Sequence, residues 1–286
     1  MTVKPSKFNT LIESMPAFSF AADSAPEWLR SAEVKAYLKY YNLDFSHSLE
    51  GVQHRFGHIK AGNYRIAMHS WVPEIAQGTV FLLHGYFDHV GLYQHLIRFL
   101  LKNQLTVVSF DIPGHGLSSG ERATIASFDT YSKVLLRCLE KCNPDKRLKD
   151  YKAQKALLQI NVPRPWYVVA QSTGAAATLN YLVNRRLARD DAKGEISPYR
   201  QAPEFDRIVL LSPLVRAYGW NRRRWGYELL RPFVKRIPRT FPRNSHDPDF
   251  LEFVKKKDPL QAQSLSHQKS AEISCLSGYI SRYSRR

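Results

Sequence analysis

Apolar residues recur along this chain in two rhythms. Two alternating stretches, Val52 to Ile59 and Tyr64 to Val72, flank Lys60, Ala61, Gly62 and Asn63, which have the composition of a hairpin turn. The rhythm then changes to short continuous apolar runs alternating with longer helical segments. Thr79 to Leu83, Leu105 to Phe110, Trp166 to Ala170 and Ile208 to Leu211 read as strands; helices are predicted around Tyr93 to Lys102, Phe128 to Lys141 and Ala175 to Leu187. Continuous Val, Ile and Leu runs mark strands buried on both faces, which is how a parallel sheet covered by helices is written. The predicted fold is therefore α/β, a mostly parallel sheet entered through an antiparallel hairpin. Ahead of it, residues 1–50 are polar and mixed, with one helix-like stretch from Trp28 to Tyr41, and read as an N-terminal extension packed on the domain. Residues 51–217 form the core. Residues 218–265 are rich in Arg, Trp, Tyr, Phe and Pro, show no strand between Ala217 and Leu260, and read as a lid inserted after the sixth strand. The remainder, 266–286, is Ser-rich and basic without a clear apolar period, and little stable structure is expected there.

Composition narrows the class. At 286 residues and 44% hydrophobic content the chain can bury a sizeable core. No run approaches the roughly 18 apolar residues of a membrane span, and Met1 to Leu11 lacks the apolar core of a secretory signal, so a cytoplasmic location is expected. Cys138, Cys142 and Cys275 are odd in number, the first two one helical turn apart, which suggests packing thiols rather than disulfides or a metal site; no metal and no cofactor is predicted. The net charge of +17 favours anionic partners, nucleic acid or phospholipid headgroups, or is simply a solvated basic surface. Much of it lies between Arg222 and Arg243 and at Arg282, Arg285 and Arg286 rather than along one helix that could enter a groove, so nucleic-acid binding is not expected.

The chemistry concentrates after three strands. In Trp166 to Gly174 a buried strand runs into Ser172 between small or polar neighbours, then into a helix. This is the arrangement of a nucleophile elbow, which holds a serine hydroxyl above the sheet edge beside a helix N-terminus. Ala170 stands at the first position of G-x-S-x-G. A serine ahead of a helix also reads as a plain N-cap. His84, Gly85 and Tyr86 follow the first parallel strand, where a loop can aim a backbone N–H at an oxyanion. Tyr86 N–H and Thr173 N–H are the expected pair of oxyanion donors, with His84 and Gly85 lining the substrate side. Asp111 and His115, in the turn Asp111 to Gly120, are assigned structural roles.

The stretches LLHGYFDHVGLY, SFDIPGHGLSSG and VVAQSTGAA, in this order and spacing, resemble the α/β-hydrolase superfamily, specifically its serine-aminopeptidase-like, monoacylglycerol lipase and lysophospholipase-like group. The resemblance runs from about Val52 to about Leu265, where DPDFLEFVKKKDPLQAQSL is similar to the segment between lid and next core strand. It implies the α/β-hydrolase fold, Ser172 as nucleophile, Tyr86 in the oxyanion hole and a lipid-like carboxylic ester as substrate. It also implies a further strand, a catalytic Asp, a final strand, a catalytic His and a closing helix. Two βα units take roughly 60 to 80 residues, more than follow Leu265, so the last two strands, the acid and the base are expected to be missing. A truncation or frameshift near Ser266 is the expected cause. His246, His267, Asp247 and Asp258 follow no identifiable strand and are not expected to substitute; His84, His89 and His115 are expected to hold loops.

Two physical consequences are expected: an exposed edge at Ile208 to Leu211 with poor solubility, and a helix around Tyr93 to Lys102 lacking its neighbour on the sheet face. In the lid, Trp220, Trp225, Tyr227, Leu229, Leu230, Phe233 and Ile237 interleave with Arg222, Arg223, Arg224, Arg231, Lys235 and Arg236. That pattern suits peripheral contact with an anionic membrane, or an ordinary lid helix covering the pocket. The functional expectation is a serine hydrolase of the lysophospholipase or monoacylglycerol lipase kind, catalytically impaired for want of its acid and base. The alternative is a non-catalytic binding protein on the same fold.

Overall fold

The computed structural model describes residues 7–21, 26–144, 149–191, 197–214, 236–239 and 245–266. Four short helices come first: α1 Asn9–Ser14, α2 Pro26–Leu29, α3 Ala32–Tyr40 and α4 Phe45–Ser48. The stretch read as one helix from Trp28 is broken because Ser31 is extended and its hydroxyl accepts from Val34 N–H, starting α3 afresh. Then follow β1 Gln53–Ala61, β2 Tyr64–Val72, β3 Gly78–Leu83, a 3₁₀ turn Val90–Tyr93, α5 Gln94–Lys102, β4 Leu105–Phe110, α6 Asp129–Lys141, α7 Tyr151–Asn161, β5 Trp166–Gln171, α8 Thr173–Asp190 and β6 Arg207–Leu211. The remaining described elements are β7 Arg236–Pro238, α9 Pro248–Glu252, a π-helical turn Phe253–Lys257 and β8 Ser264–Ser266.

The six-stranded sheet has the order β1-β2-β4-β3-β5-β6. The hairpin β1–β2 and the β2–β4 pair are antiparallel, while β4, β3, β5 and β6 are parallel neighbours. Two-residue periodicity divides the sheet between two cores. Phe81, Leu83, Val108 and Phe110 face α6 and α8, where Val134, Leu135, Ala175 and Tyr181 meet them. Val80, Leu82, Val107 and Trp71 face the other way, onto Ile97 and Leu101 of α5 and Tyr37, Leu43 and Phe45 of the N-terminal segment. Each such side chain, fully withdrawn from water, contributes about 1.5–3 kcal/mol.

This second face is covered unevenly. Tyr167 and Val169 of β5 are only partly buried, Val209 and Leu211 of β6 are 48% and 46% exposed, and Phe99 of α5 is 61% exposed. Those β6 residues pair directly with the outward residues of β5, Val169↔Val209 and Gln171↔Leu211, so they continue one open apolar surface. Among the described residues β6 has no partner on its outer edge.

One sequence expectation is corrected. The lid region contains a strand: Arg236–Pro238 pairs antiparallel with Ser264–Ser266, Ile237 opposite Leu265. Three-residue strands are too short to write a period into the sequence, and the pairing joins residues far apart in the chain. The aromatic and basic residues of the lid from Trp220 to Lys235, and those from His267 onward, lie outside the described residues.

Candidate active site

β5 ends at Gln171 and α8 begins at Thr173, so Ser172 alone joins a buried strand to an 18-residue helix. The turn takes φ 48° and ψ −108° at Ser172. A left-handed backbone of this kind costs a residue with a Cβ about 1–3 kcal/mol and persists only where the surroundings enforce it. Here Ser172 N–H donates to Leu211 O (2.9 Å), while Ser172 O accepts from Ala176 N–H (2.9 Å) and Leu214 N–H (3.1 Å). The plain N-cap reading does not hold, because the Ser172 side chain makes no capping hydrogen bond to α8. Two neighbours make the tight crossing possible. Ala170 is fully buried, and a Cβ on Gly174 would stand 2.6 Å from His84 O and 2.8 Å from Leu83 O, so only glycine lets α8 approach the end of β3.

That approach brings the loop after β3 against the serine. A Cβ on Gly85 would lie 3.4 Å from Ser172 Cβ and 2.9 Å from Asp88 Oδ2. Among the described residues neither Tyr86 N–H nor Thr173 N–H finds an acceptor, and Thr173 Oγ1 is buried without a partner. Thr173 N–H is also the first amide of α8, one of the groups every helix leaves unpaired at its positive end. The Tyr86 side chain points away, its hydroxyl donating to Ala123 O (2.5 Å).

The loop is rigid for identifiable reasons. His84 is buried; its Nδ1–H donates to Gly85 O (2.7 Å) and its Nε2 accepts from Ile112 N–H (3.0 Å), which fixes a neutral tautomer. Burial pushes its pKa down to about 3. Asp111 accepts from Val90 N–H (2.8 Å) and Leu117 N–H (2.7 Å), so it ties together the loops after β3 and β4. Gly116, at φ 50°, leaves room for that carboxylate, which any Cβ would strike. His115 donates through Nδ1 to Pro113 O (2.9 Å), and burial lowers its pKa to about 3 as well.

Two clusters were not singled out by sequence reasoning. In the first, Tyr93 Oη lies 2.6 Å from Gln171 Oε1 and 3.0 Å from Asp88 Oδ2, and accepts from Gly85 N–H at 3.2 Å. In the second, His89 Nε2–H donates to Asp258 Oδ2 (2.9 Å), Tyr41 Oη–H to Asp258 Oδ1 (2.7 Å) and Gln261 Nε2–H to Oδ2 (2.9 Å). Burial works against the Asp258 carboxylate, but His89 and these hydrogen bonds outweigh it and hold its pKa at about 2. Asp247 accepts from Asp249 N–H and Phe250 N–H and so caps α9. The nitrogens of His84 and His89 are thus occupied away from Ser172, and Asp258 serves His89. A cavity of about 400 Å³ between Tyr40, Leu92 and Phe253 includes neither Ser172 nor Gly85 in its lining. No helix among the described residues is long and apolar enough to cross a membrane.

The likeness to known proteins follows this geometry. Among curated proteins the chain is 26% identical over 148 residues to human monoglyceride lipase, covering 51% of this chain and 39% of that protein. It is 32% identical over 80 residues to monoacylglycerol lipase of Mycolicibacterium smegmatis, covering 28% of each. The chain thus spans well under half the length of these relatives. Among solved structures it is similar to monoacylglycerol lipase from Paleococcus ferrophilus, with TM-score 0.52, 18% identity, and 74% and 70% of the two chains covered. A soluble variant of monoglyceride lipase from Saccharomyces cerevisiae, in complex with a substrate analog, gives TM-score 0.55 and 16% identity over 79% and 68%. Residues 74–273 match the family described as serine aminopeptidase, S33. A sheet that is parallel beyond its hairpin, with loops crowding Ser172 at its carboxyl edge, is the α/β-hydrolase fold, and the chain belongs to the serine aminopeptidase, S33 family of α/β hydrolases.

Proposed function

We propose that this chain supplies the nucleophile of a serine ester hydrolase acting on a lipid-like carboxylic ester, a monoacylglycerol or lysophospholipid. The observation that supports this most is the strained, uncapped backbone of Ser172 between β5 and α8. Strain of this size, unrewarded by a helix cap, is what an exposed nucleophile requires. Ser172 Oγ attacks the acyl carbon, and the carbonyl oxygen gathers negative charge between Tyr86 N–H and Thr173 N–H, donors that have no acceptor among the described residues. His84 and Gly85 shape this side of the pocket through backbone placement, and residues 218–265 act as its cover. Collapse of the tetrahedral intermediate expels the alcohol and leaves an acyl-serine that water cleaves. The relatives named as monoglyceride lipases favour a glycerol ester over an amide.

Attack needs a base to take the serine proton, and no described histidine bonds Ser172. An uncatalysed proton transfer at Ser172 would lower turnover by several orders of magnitude while oxyanion donors and binding retain a residual rate, so the described residues by themselves account for binding and attack rather than for full turnover. The test is prolonged exposure to excess fluorophosphonate, long enough to report a serine that attacks slowly without a bonded base, followed by peptide mapping, with p-nitrophenyl ester turnover alongside. Modification at Ser172, absent in Ser172→Ala, supports the reading. Saturable monoacylglycerol binding without modification would favour a non-catalytic binding protein on the same fold, and neither would overturn both.

A further inference from the structure

The hydroxyl of Tyr93 meets three groups from three parts of the site. It accepts from Gly85 N–H (3.2 Å), one residue before the proposed oxyanion donor Tyr86. It lies 2.6 Å from Gln171 Oε1, one residue before Ser172. It lies 3.0 Å from Asp88 Oδ2, and Asp88 in turn closes its own loop through Asp88 N–H to Gly85 O (3.2 Å). We propose that Tyr93 is a positioning residue for Ser172, its hydroxyl setting the relative placement of the nucleophile turn and the Gly85 loop through a proton shared with Asp88 and Gln171. This inference rests on the reading of Ser172 as nucleophile.

The proton count makes the junction more than a tether. A phenol has one proton, and both Gln171 Oε1 and Asp88 Oδ2 are acceptors as placed. Two complete arrangements exist. With Asp88 ionised, Tyr93 donates to the carboxylate and Gln171 turns its amide so that Nε2–H donates to Tyr93. With Asp88 protonated, the acid donates to Tyr93, which donates to Gln171 Oε1. Either way each member orients the next, so the side chain before the nucleophile and the amide before the oxyanion donor are held by one atom. Burial raises the Asp88 carboxyl, against the Tyr93 hydrogen bond and the nearby His89 and Arg239, which keeps the protonated arrangement within reach. A Gly85 Cβ would stand within 3.4 Å of both Ser172 Cβ and Asp88 Oδ2, so the acid and the serine both border the same residue of the loop. Tyr93 is also the last residue of the 3₁₀ turn that His89 caps by accepting from Gly91 N–H (3.1 Å), so its ring enters from a fixed support.

The decisive comparison uses the full chain with Tyr93→Phe, Asp88→Asn and, as control, Tyr181→Phe. The last deletes a hydrogen-bonded hydroxyl (to Pro203 O, 2.6 Å) in the opposite core. Two readouts are taken: amide exchange of Gly85 by NMR, and fluorophosphonate modification of Ser172 resolved into its binding and inactivation constants. Tyr93→Phe is expected to speed Gly85 exchange at least tenfold and lower the inactivation rate constant at least tenfold with the binding constant unchanged. Tyr181→Phe is expected to change neither by more than twofold. Asp88→Asn, which can complete the second arrangement, is expected to keep Gly85 protected and retain most of the rate. Gly85 exchange and inactivation in Tyr93→Phe both within twofold of the parent would overturn the proposal. An unmodified Ser172 in the parent would overturn the nucleophile reading, and Gly85 exchange would still judge the Tyr93 junction.

Discussion

Lowering the pH from 7 to 5.5 should markedly destabilise this protein, and three fully buried histidines set a lower bound on the effect, to which His54, also carried down to about 3 by burial, adds. His69, His84 and His115 are each no more than 3% exposed. Burial carries His84 and His115 down to about 3 and His69 well below its ordinary value. Their contacts agree. His84 Nε2 faces the Ile112 N–H, and His69 Nε2 and His115 Nε2 are buried with no partner, so none of the three has an acceptor ready for a second proton. In the unfolded chain all three take up a proton near pH 6.5. Below that pH the unfolded state therefore binds more protons, and stability falls as pH falls, by about 1.4 kcal/mol per unit for each ring and about 4 kcal/mol for the three. Burial works against His89, but Asp258, with Asp111 and Asp88, raises it overall. Because its shift is upward it adds no slope below pH 6.5, where the unfolded ring is already charged, although taking a second proton costs it the Gly91 N–H bond to Nδ1. Asp258, at about 2, keeps its contribution throughout this window. At the lower end of the 5–15 kcal/mol or so that holds a domain folded, the fall places half-unfolding near pH 5. Urea denaturation followed by tryptophan fluorescence and far-UV circular dichroism measures it: between pH 6.5 and 5.5 the midpoint should drop by about 1.5 M for a slope of about 2–3 kcal/mol/M. A midpoint constant from pH 7 to 5.5 would show that these rings are not held neutral, and the argument would fail. His115→Gln should reduce the proton uptake on acid unfolding by about one.

Three substitutions test the site and its supports. Ser172→Gly should raise stability by about 1 kcal/mol, because relief of a strained φ exceeds the added freedom of the unfolded chain, while abolishing probe modification. A melting temperature that falls instead would remove the strain argument. Gly174→Ala should lose a net 1–2 kcal/mol or so: overlap with the carbonyls of Leu83 and His84 outweighs the roughly 1 kcal/mol gained in helix propensity, and urea denaturation decides the sign. Asp258→Ala should cost about 3–5 kcal/mol by stranding Tyr41 Oη, His89 Nε2 and Gln261, and limited proteolysis should then cut first around α3, whose Tyr40 also donates to Lys257 O (2.6 Å).

How much of this was legible in the sequence depended on locality. β2 and β4 coincide with their predicted runs because every residue of the pattern is contiguous. α8 begins two residues earlier than its apolar period indicates, since the strained turn at Ser172 lets Thr173 enter the helix at once. α7 was not foreseen: of its eleven residues only Leu158 and Asn161 are buried, too few to write a helical rhythm. The serine and the Gly85 loop could be read because each sits in a short motif whose chemistry is local. The Tyr93 junction and the His89–Asp258 pair could not, because the former joins side chains 78 residues apart and the latter 169.

The open flank of β6 has a consequence for handling the molecule. Among the described residues Ile208, Val209 and Leu211 form a strand rim without a partner strand, the only charge within the strand being Arg207, a template on which another copy can hydrogen-bond. A net charge of +17 opposes that encounter at long range. Added salt shortens the reach of the repulsion to about 8 Å at physiological strength and less beyond, yet leaves apolar contact untouched. Raising the ionic strength should thus drive copies together rather than disperse them, and light scattering against sodium chloride would show particle size growing with salt.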